Sequence, residues 1–335
     1  MILKMQWGHT FSDIISVDNL LLAWQEFVRG KRGKPDVQEF GRYLMDNIMS
    51  LHEELKNFTY RHGGYYNFFV SDPKPRSIHK ASVRDRLVHH AIHRLLYPFF
   101  DRTFISDSFA CRVNKGLHRA INRLRDMAHE VSQNHMRTCW VLKCDIRKFF
   151  AHIDHAVLMG VLGEYIPDKN ILWLLQEIIG SFHVAPGRGL PLGNLTSQLF
   201  VNVYMNVFDQ FVKHKLKARY YVRYADDFVL LSHDRAWLAA QLLRMQEFLQ
   251  ERLHLTMHPQ KISLQTFASG VDFLGWVHFS DHRVLRTVTK RRMMRKIRAN
   301  PAEATVQSYL GLLRHGNTMR LQRDVLGNAR LSGNS

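Results

Sequence analysis

Tyr221-Val222-Arg223-Tyr224-Ala225-Asp226-Asp227-Phe228-Val229-Leu230-Leu231 places two adjacent carboxylates in the middle of an apolar, strand-forming segment. Burying even one ionised carboxylate costs several kcal/mol unless a cation compensates it, and neighbouring like charges raise each other's pKa. An acidic hairpin turn open to solvent is the plain reading of an isolated Asp-Asp pair. A second segment weakens it. Trp140-Val141-Leu142-Lys143-Cys144-Asp145 reads as a short buried strand that also ends in an acid, followed by Ile146-Arg147-Lys148-Phe149-Phe150. Three acids then lie at the ends of expected core strands. Mg²⁺ prefers hard oxygen ligands, and two such ions held about 3.5–4 Å apart activate an attacking hydroxyl and stabilise a leaving pyrophosphate. Nucleotidyl transfer is the chemistry that Asp145, Asp226 and Asp227 suit.

The 335 residues are 46% hydrophobic, enough for one large or two modest cores. Lys and Arg number 47 against 29 Asp and Glu, a formal net charge of +18, which attracts a polyanion and makes nucleic acid the expected partner. Cys111, Cys139 and Cys144 have neither zinc-knuckle nor disulfide-framework spacing and read as reduced thiols of a cytosolic protein. No stretch approaches the ~20 apolar residues of a membrane span. The twenty histidines are scattered, with no HExxH.

Apolar spacing predicts helices over Val17 to Phe27, Val37 to Phe58, Ser82 to Phe100, Leu117 to Val131, around His155 to Tyr165, Asn170 to Ile179, Leu195 to Leu216 and Ala236 to Leu253, with a basic helix from Thr289 and another beginning at Ser308. Hairpins are expected at Tyr65 to Ile78, broken by Asp72-Pro73-Lys74-Pro75, at Tyr220 to Leu231, and at Val271 to Arg286. Asn328 to Ser335 has the composition of a frayed tail.

The ordered series LKCDIRKFF (142–150), YADD (224–227), LHLTMHPQKI (253–262) and FLGW (273–276) resembles the palm of bacterial reverse transcriptases, over roughly Val70 to Leu313. Gly189-Leu190-Pro191-Leu192-Gly193-Asn194-Leu195-Thr196-Ser197-Gln198 narrows the likeness to the enzymes of diversity-generating retroelements, which copy a template RNA with errors at adenines. The resemblance implies an α+β right-hand polymerase fold. Its N-terminal helices and fingers would span 1–142, and its palm 143–285, an antiparallel sheet backed by helices with a fingers-side insertion at about 155–187. A small helical thumb and tail would span 286–335.

It further implies an RNA-directed DNA polymerase, cytoplasmic in a bacterium or phage-encoded, with template RNA, primer and cDNA, and dNTPs as partners. A small basic accessory protein or a structured non-coding RNA would join it. Two Mg²⁺ ions, with Mn²⁺ as substitute, would be held by Asp145, Asp226, Asp227 and the Ile146 carbonyl. Lys74 and Arg76 would grip the triphosphate, and Phe150 would block a ribose 2′-hydroxyl, unless it only packs in the core as Phe149 is expected to do. Leu192, beside Gly193, stands where related polymerases carry a glutamine; either it lowers fidelity or it packs beneath the hairpin. Lys261 would donate a proton to pyrophosphate. Phe273, Leu274, Gly275 and Trp276 resemble the primer grip, with the aromatics bracing the primer. Lys290, Arg291, Arg292, Arg295, Lys296 and Arg298 fall within nine positions, either as a solvated face or as a thumb helix tracking phosphates. The rival functions are an antiphage reverse transcriptase and a non-catalytic RNA-binding protein on a polymerase fold; the three intact acids oppose the latter.

Overall fold

The computed structural model describes residues 7–71, 75–300 and 302–332, with side chains as far as Gly327. In chain order the helices and strands are α1 (Phe11–Ile15), α2 (Val17–Phe27), α3 (Pro35–Arg42), α4 (Leu44–Lys56), β1 (Tyr65–Val70), β2 (Arg76–Ala81), α5 (Val83–Asp101), α6 (Leu117–Val131), β3 (Trp140–Asp145), α7 (Phe149–His152), α8 (His155–Gly163), α9 (Lys169–Gly180), α10 (Leu195–Gln210), β4 (Tyr221–Tyr224), β5 (Asp227–Ser232), α11 (Arg235–Leu253), β6 (Ser263–Thr266), β7 (Val271–Phe273), β8 (Trp276–His278), β9 (Arg283–Leu285), α12 (Thr287–Ala299), α13 (Glu303–Leu313) and α14 (Met319–Ser332). They form two compact units interleaved in sequence.

The first unit comprises residues 1–106, 146–215 and 245–257. The single helix expected over Val37 to Phe58 is two, because Tyr43 leaves helical geometry at φ −116°, ψ 40°. Helix α2 lays Leu20, Ala23 and Phe27 toward the core, and α5 buries Leu87, Ile92 and Leu96 at helical spacing. Helix α10 buries most of its surface, as a helix crossing a core does, and widens into a π turn at Phe211–Lys215 where a continuous helix to Leu216 is expected. Buried Tyr204 satisfies its hydroxyl by donating to the Leu253 carbonyl at 2.7 Å. Strands β1 and β2 form an antiparallel hairpin, and Tyr66 and Phe69 on β1 are largely exposed.

The second unit comprises residues 107–145, 216–244 and 258–335. Its four-stranded antiparallel sheet runs in the order β4-β5-β3-β6. On one face of it, Ile121, Leu124 and Ala128 of α6 pack in the same core as Val141, Val222 and Val229. That core continues through Phe273 and Trp276 of the three-stranded sheet β7-β8-β9 to Met293, Ile297, Leu313 and Val325 of the last three helices. Gly316 is required there, since a Cβ would overlap the Trp276 ring. Strand β6 escapes the sequence pattern, and α14 continues through Ser332 into the segment expected to fray. The three cysteines are free thiols, as expected. Among the described residues no helix is long and apolar enough to cross a membrane.

Candidate active site

The site grows out of three neighbouring strands of the second unit. Strands β3 and β5 pair so that Asp145 lies opposite Asp227, and β4 and β5 pair Tyr224 with Asp227. The hairpin between β4 and β5 therefore turns on only two residues, Ala225 and Asp226. Ala225 takes φ 55°, a left-handed conformation that strains a residue carrying a Cβ. Arg223 holds this turn. Its guanidinium is fully buried, with Nη1 donating to the Ala225 carbonyl at 3.0 Å and Nη2 to Ser108 Oγ at 3.2 Å, while its backbone pairs with Asp107 and Phe109.

Two lysines balance two of the acids. Lys143 Nζ lies 2.9 Å from Asp227 Oδ1, an ion pair that is not aligned as a hydrogen bond. Lys261 reaches Asp145 through a short chain of contacts: the His258 amide donates to the Asp145 carbonyl at 2.7 Å, a 3₁₀ turn over Pro259–Lys261 follows, and Lys261 Nζ donates to Asp145 Oδ1 at 2.6 Å. Among the described residues Asp226 has no ion pair of its own. Burial, and then the Asp145 charge, push its carboxyl up to about 6, against the pull of the Lys261 charge. Burial also raises Asp227, against the pull of Lys143.

In the first unit, Ile146 is buried and bridges to Met257. Phe149 is core, as expected, with its ring edge-on to Phe150 at 5.6 Å; Phe150 is half-exposed. The loop from Leu192 to Asn194 is stitched to β2, since the His79 amide donates to the Leu192 carbonyl at 2.9 Å and Asn194 Nδ2 donates to the His79 carbonyl at 3.0 Å. Gly193, at φ 106°, sits so close to Ile78 that a Cβ would come within 2.7 Å of its Cγ2. Leu192 itself is half-buried. Arg76 is exposed at the start of β2, and Lys74 lies outside the described residues.

In the second unit, Phe273 and Trp276 face each other across a two-residue turn, with Leu274 at φ 51° and Gly275 at φ 86°, the paired positive values of a type I′ hairpin. Both aromatic rings are essentially fully buried. They are core rather than a brace for a primer, because the short hairpin turns them toward the last three helices; only Leu274 and Gly275 remain at its tip. On α12, Met293 and Ile297 face the core, while Lys290, Arg291, Arg295, Lys296 and Arg298 are exposed and Arg292 is half-buried. Lys290, Arg291, Arg295 and Arg298 border a cavity of about 460 Å³.

Residues 71–278, more than half of the chain, match the family described as Reverse transcriptase (RNA-dependent DNA polymerase). The chain belongs to this reverse transcriptase family. It is similar to Protein YkfC of Escherichia coli, 26% identical over 271 residues that cover 70% of this chain and 69% of that one. It is also similar to the group II intron-encoded protein LtrA of Lactococcus lactis, at 20% identity over 74% of this chain and 51% of that one. The chain thus spans only about half the length of LtrA, and 30% of a putative COX1/OXI3 intron 2 protein of Saccharomyces cerevisiae. Its fold is that of the telomerase of Candida albicans, solved with a TWJ fragment of telomeric RNA, with a TM-score of 0.51 at 14% identity over 77% of this chain and 55% of that one. The expected polymerase fold is therefore the observed one.

For this reverse transcriptase the fit of divalent cations is a question of charge and donors. Among the described residues no group of three or more His, Cys, Asp or Glu side chains is gathered as a ready ligand set. The donors are nonetheless hard carboxylate oxygens, and burial beside the Asp145 charge makes the ionised form of Asp226 costly, a cost that a bound cation would lower. Sequence reasoning overlooked two members of this constellation, Arg223 and Lys143. Their signal was present: each is a basic residue inside an apolar strand that ends at an acid, a place where a charge is stable only when paired. Arg84 pairs with Asp85 and Glu54, and Arg86 with Asp36.

Proposed function

We propose that this chain is an RNA-directed DNA polymerase that copies a template RNA into cDNA by extending a primer with dNTPs. The observation that carries this reading is the placement of Asp145 opposite Asp227 on adjacent strands, with Asp226 in the adjoining two-residue turn and its carboxyl pushed up by burial and the Asp145 charge. Two Mg²⁺ ions, or Mn²⁺ in their stead, would be held by Asp145 and Asp226, with Asp227 as the third acid and Ile146 offering its carbonyl. Bound there, they supply Lewis-acid activation of the primer hydroxyl and charge stabilisation of the leaving pyrophosphate.

The chain's own residues do the rest. Lys261 stands beside Asp145 as the proton donor to pyrophosphate. Lys74 and Arg76 grip the triphosphate, and Phe150 excludes the ribose 2′-hydroxyl. The exposed cations of α12 track the phosphate backbone of the primer-template duplex. Residues 1–142 serve as fingers, 143–285 as palm and 286–335 as thumb, and the protein works in the cytoplasm.

The finer reading is an error-prone enzyme of a diversity-generating retroelement, served by a small basic accessory protein or structured RNA. Its support is Leu192, which stands where related polymerases carry a glutamine and whose backbone carbonyl accepts from the His79 amide. An apolar side chain cannot supply a glutamine's hydrogen bonds, and losing ~1.4 kcal/mol of discrimination raises misincorporation about tenfold. A polymerase encoded within an intron is the second reading, favoured by the likeness to LtrA.

Both levels are tested by incubating the purified chain with a defined RNA template, an annealed DNA primer, dNTPs and Mg²⁺, and sequencing the product. Extension with errors concentrated opposite template adenine is expected. Extension with uniformly low error contradicts the retroelement reading alone, and absence of RNA-dependent extension contradicts the polymerase.

A further inference from the structure

Beside the β8–β9 turn, the second unit contains a cavity of about 240 Å³, small against the pockets that hold drug-sized ligands. Its wall is dominated by cations and rings: Arg125 of α6, Arg283 of β9 and Arg314 just after α13, with His278 and His315. One carboxylate lines it, Asp281, which already accepts from the His282 ring at 2.7 Å. Arg125 is met by Asp126, its neighbour in the chain.

Two atoms in this cavity are buried without a hydrogen-bond partner. Arg283 is fixed on two sides, its Nε donating to the His315 carbonyl and its Nη2 to Asn122 Oδ1 at 2.8 Å, which leaves Nη1 buried with nothing to meet. His278 is 1% exposed, and its Nε2 is likewise unmet. Native proteins rarely leave such groups orphaned, and an ion is one of the usual reasons when they do. The field points the same way. Burial, then the Arg283 charge, hold His278 down to about 4, and burial, then Arg125, lower Arg283. His315, stacked on His118 with ring centres 3.5 Å apart, is lowered by burial and by Arg283. Burial is the largest cause of each shift and neighbouring positive charge the second, with Asp126 offsetting part of it at Arg283.

We propose that this cavity binds a phosphate group, with Arg283 Nη1 and His278 Nε2 meeting its oxygens at the floor and Arg125 and Arg314 closing on it from the rim. A guanidinium presents donors that match phosphate oxygens; here Arg283 has its one remaining donor, Nη1, at the floor, and Arg125 and Arg314 stand at the rim. The cavity shares no residue with the carboxylate site, and its role does not depend on the polymerase reading. The phosphate has two sources, a diester of a nucleic-acid backbone or free phosphate and pyrophosphate.

The test is a titration of the full chain with inorganic phosphate at fixed ionic strength, since salt both screens charge and shifts stability. The ring signals of His278 and His315 are followed by NMR, together with the thermal midpoint. The wild type should show a saturable shift of both rings, and the Arg125→Gln/Arg314→Gln double variant, altered only at exposed side chains, should need at least about tenfold more phosphate. A short DNA duplex lacking terminal phosphates separates the sources: displacement of phosphate from the rings assigns the site to a nucleic-acid backbone, and failure to displace it assigns the site to free phosphate. Equal affinity in the double variant, or no saturable shift with either phosphate or duplex, would overturn the proposal.

Discussion

Asp145 and Asp227 are partners across the β3–β5 ladder, and each carries its own lysine, Lys261 on the first and Lys143 on the second. The third acid, Asp226, sits in the adjoining turn with no ion pair of its own among the described residues; the Lys261 charge pulls on it, but burial and the Asp145 charge outweigh that pull. Like charges are thereby gathered at one end of a sheet and only partly balanced, an arrangement that costs stability and is kept for what it binds.

That cost is measurable. With the Asp226 carboxyl raised from 3.8 to about 6, the native state holds its proton more tightly than the unfolded chain does, so wild-type stability falls as pH rises through roughly 4 to 6, and the penalty is fully present above that window. Asp226→Asn removes the titration. Without divalent cations it should therefore be more stable than wild type at pH 7, by about 1–2 kcal/mol, with the advantage vanishing near pH 4. Thermal melts at the two pH values check this.

Arg223 is a positioning residue, fixing the Asp226 turn through the Ala225 carbonyl. Lysine keeps the charge but cannot fork between Ala225 and Ser108. Arg223→Lys should remain folded, lose about 1–3 kcal/mol of stability from groups left unpaired, and lower kcat tenfold or more with KM for dNTP little changed. A KM rise at constant kcat would place its role elsewhere.

Much of this site is legible in sequence, for physical reasons that differ between residues. Strands β3 and β5 announce themselves because each is a short, nearly unbroken apolar run with an acid at one end, as buried central strands can be, and β4 is a short aromatic and β-branched segment that leads into the turn at Asp226. Strand β6 does not: Ser263-Leu264-Gln265-Thr266 is a half-buried edge with neither alternation nor an apolar run. The break at Tyr43 is signalled only by Gly41, which itself lies inside the last turn of α3. Phe273 and Trp276 mislead for another reason, since an aromatic beside a tight turn looks the same in sequence whether it faces solvent or core.

The exposed face of α12 makes a prediction about salt. Replacing Lys290, Arg291 and Arg295 with glutamine should weaken binding of a primer-template duplex across all sequences. It should also flatten the dependence of log affinity on log salt by about 0.7–0.9 for each phosphate that is no longer neutralised. An unchanged slope would mean that these side chains do not meet phosphates. Arg292 and Lys296 are left intact because both engage other groups of the protein.

Phe150 is half-exposed beside a fully packed Phe149, so its ring is available to a ligand in a way that its neighbour's is not. Phe150→Ala should admit rNTPs, raising the ratio of rNTP to dNTP incorporation at least tenfold in single-nucleotide extension. An active variant that still rejects rNTPs as strongly as wild type would make Phe150 a packing residue.

The most direct measurement is RNA-templated primer extension by Asp226→Asn beside wild type, in Mg²⁺, with RNA affinity and melting temperature recorded on the same samples. The substitution removes one carboxylate oxygen charge without adding bulk. Extension should fall at least about a thousandfold while RNA binding stays within about twofold and the variant melts as a folded protein well above the assay temperature, which assigns the loss to the cation site rather than to unfolding. Undiminished cDNA synthesis by the pure variant would contradict nucleotidyl transfer at Asp145, Asp226 and Asp227.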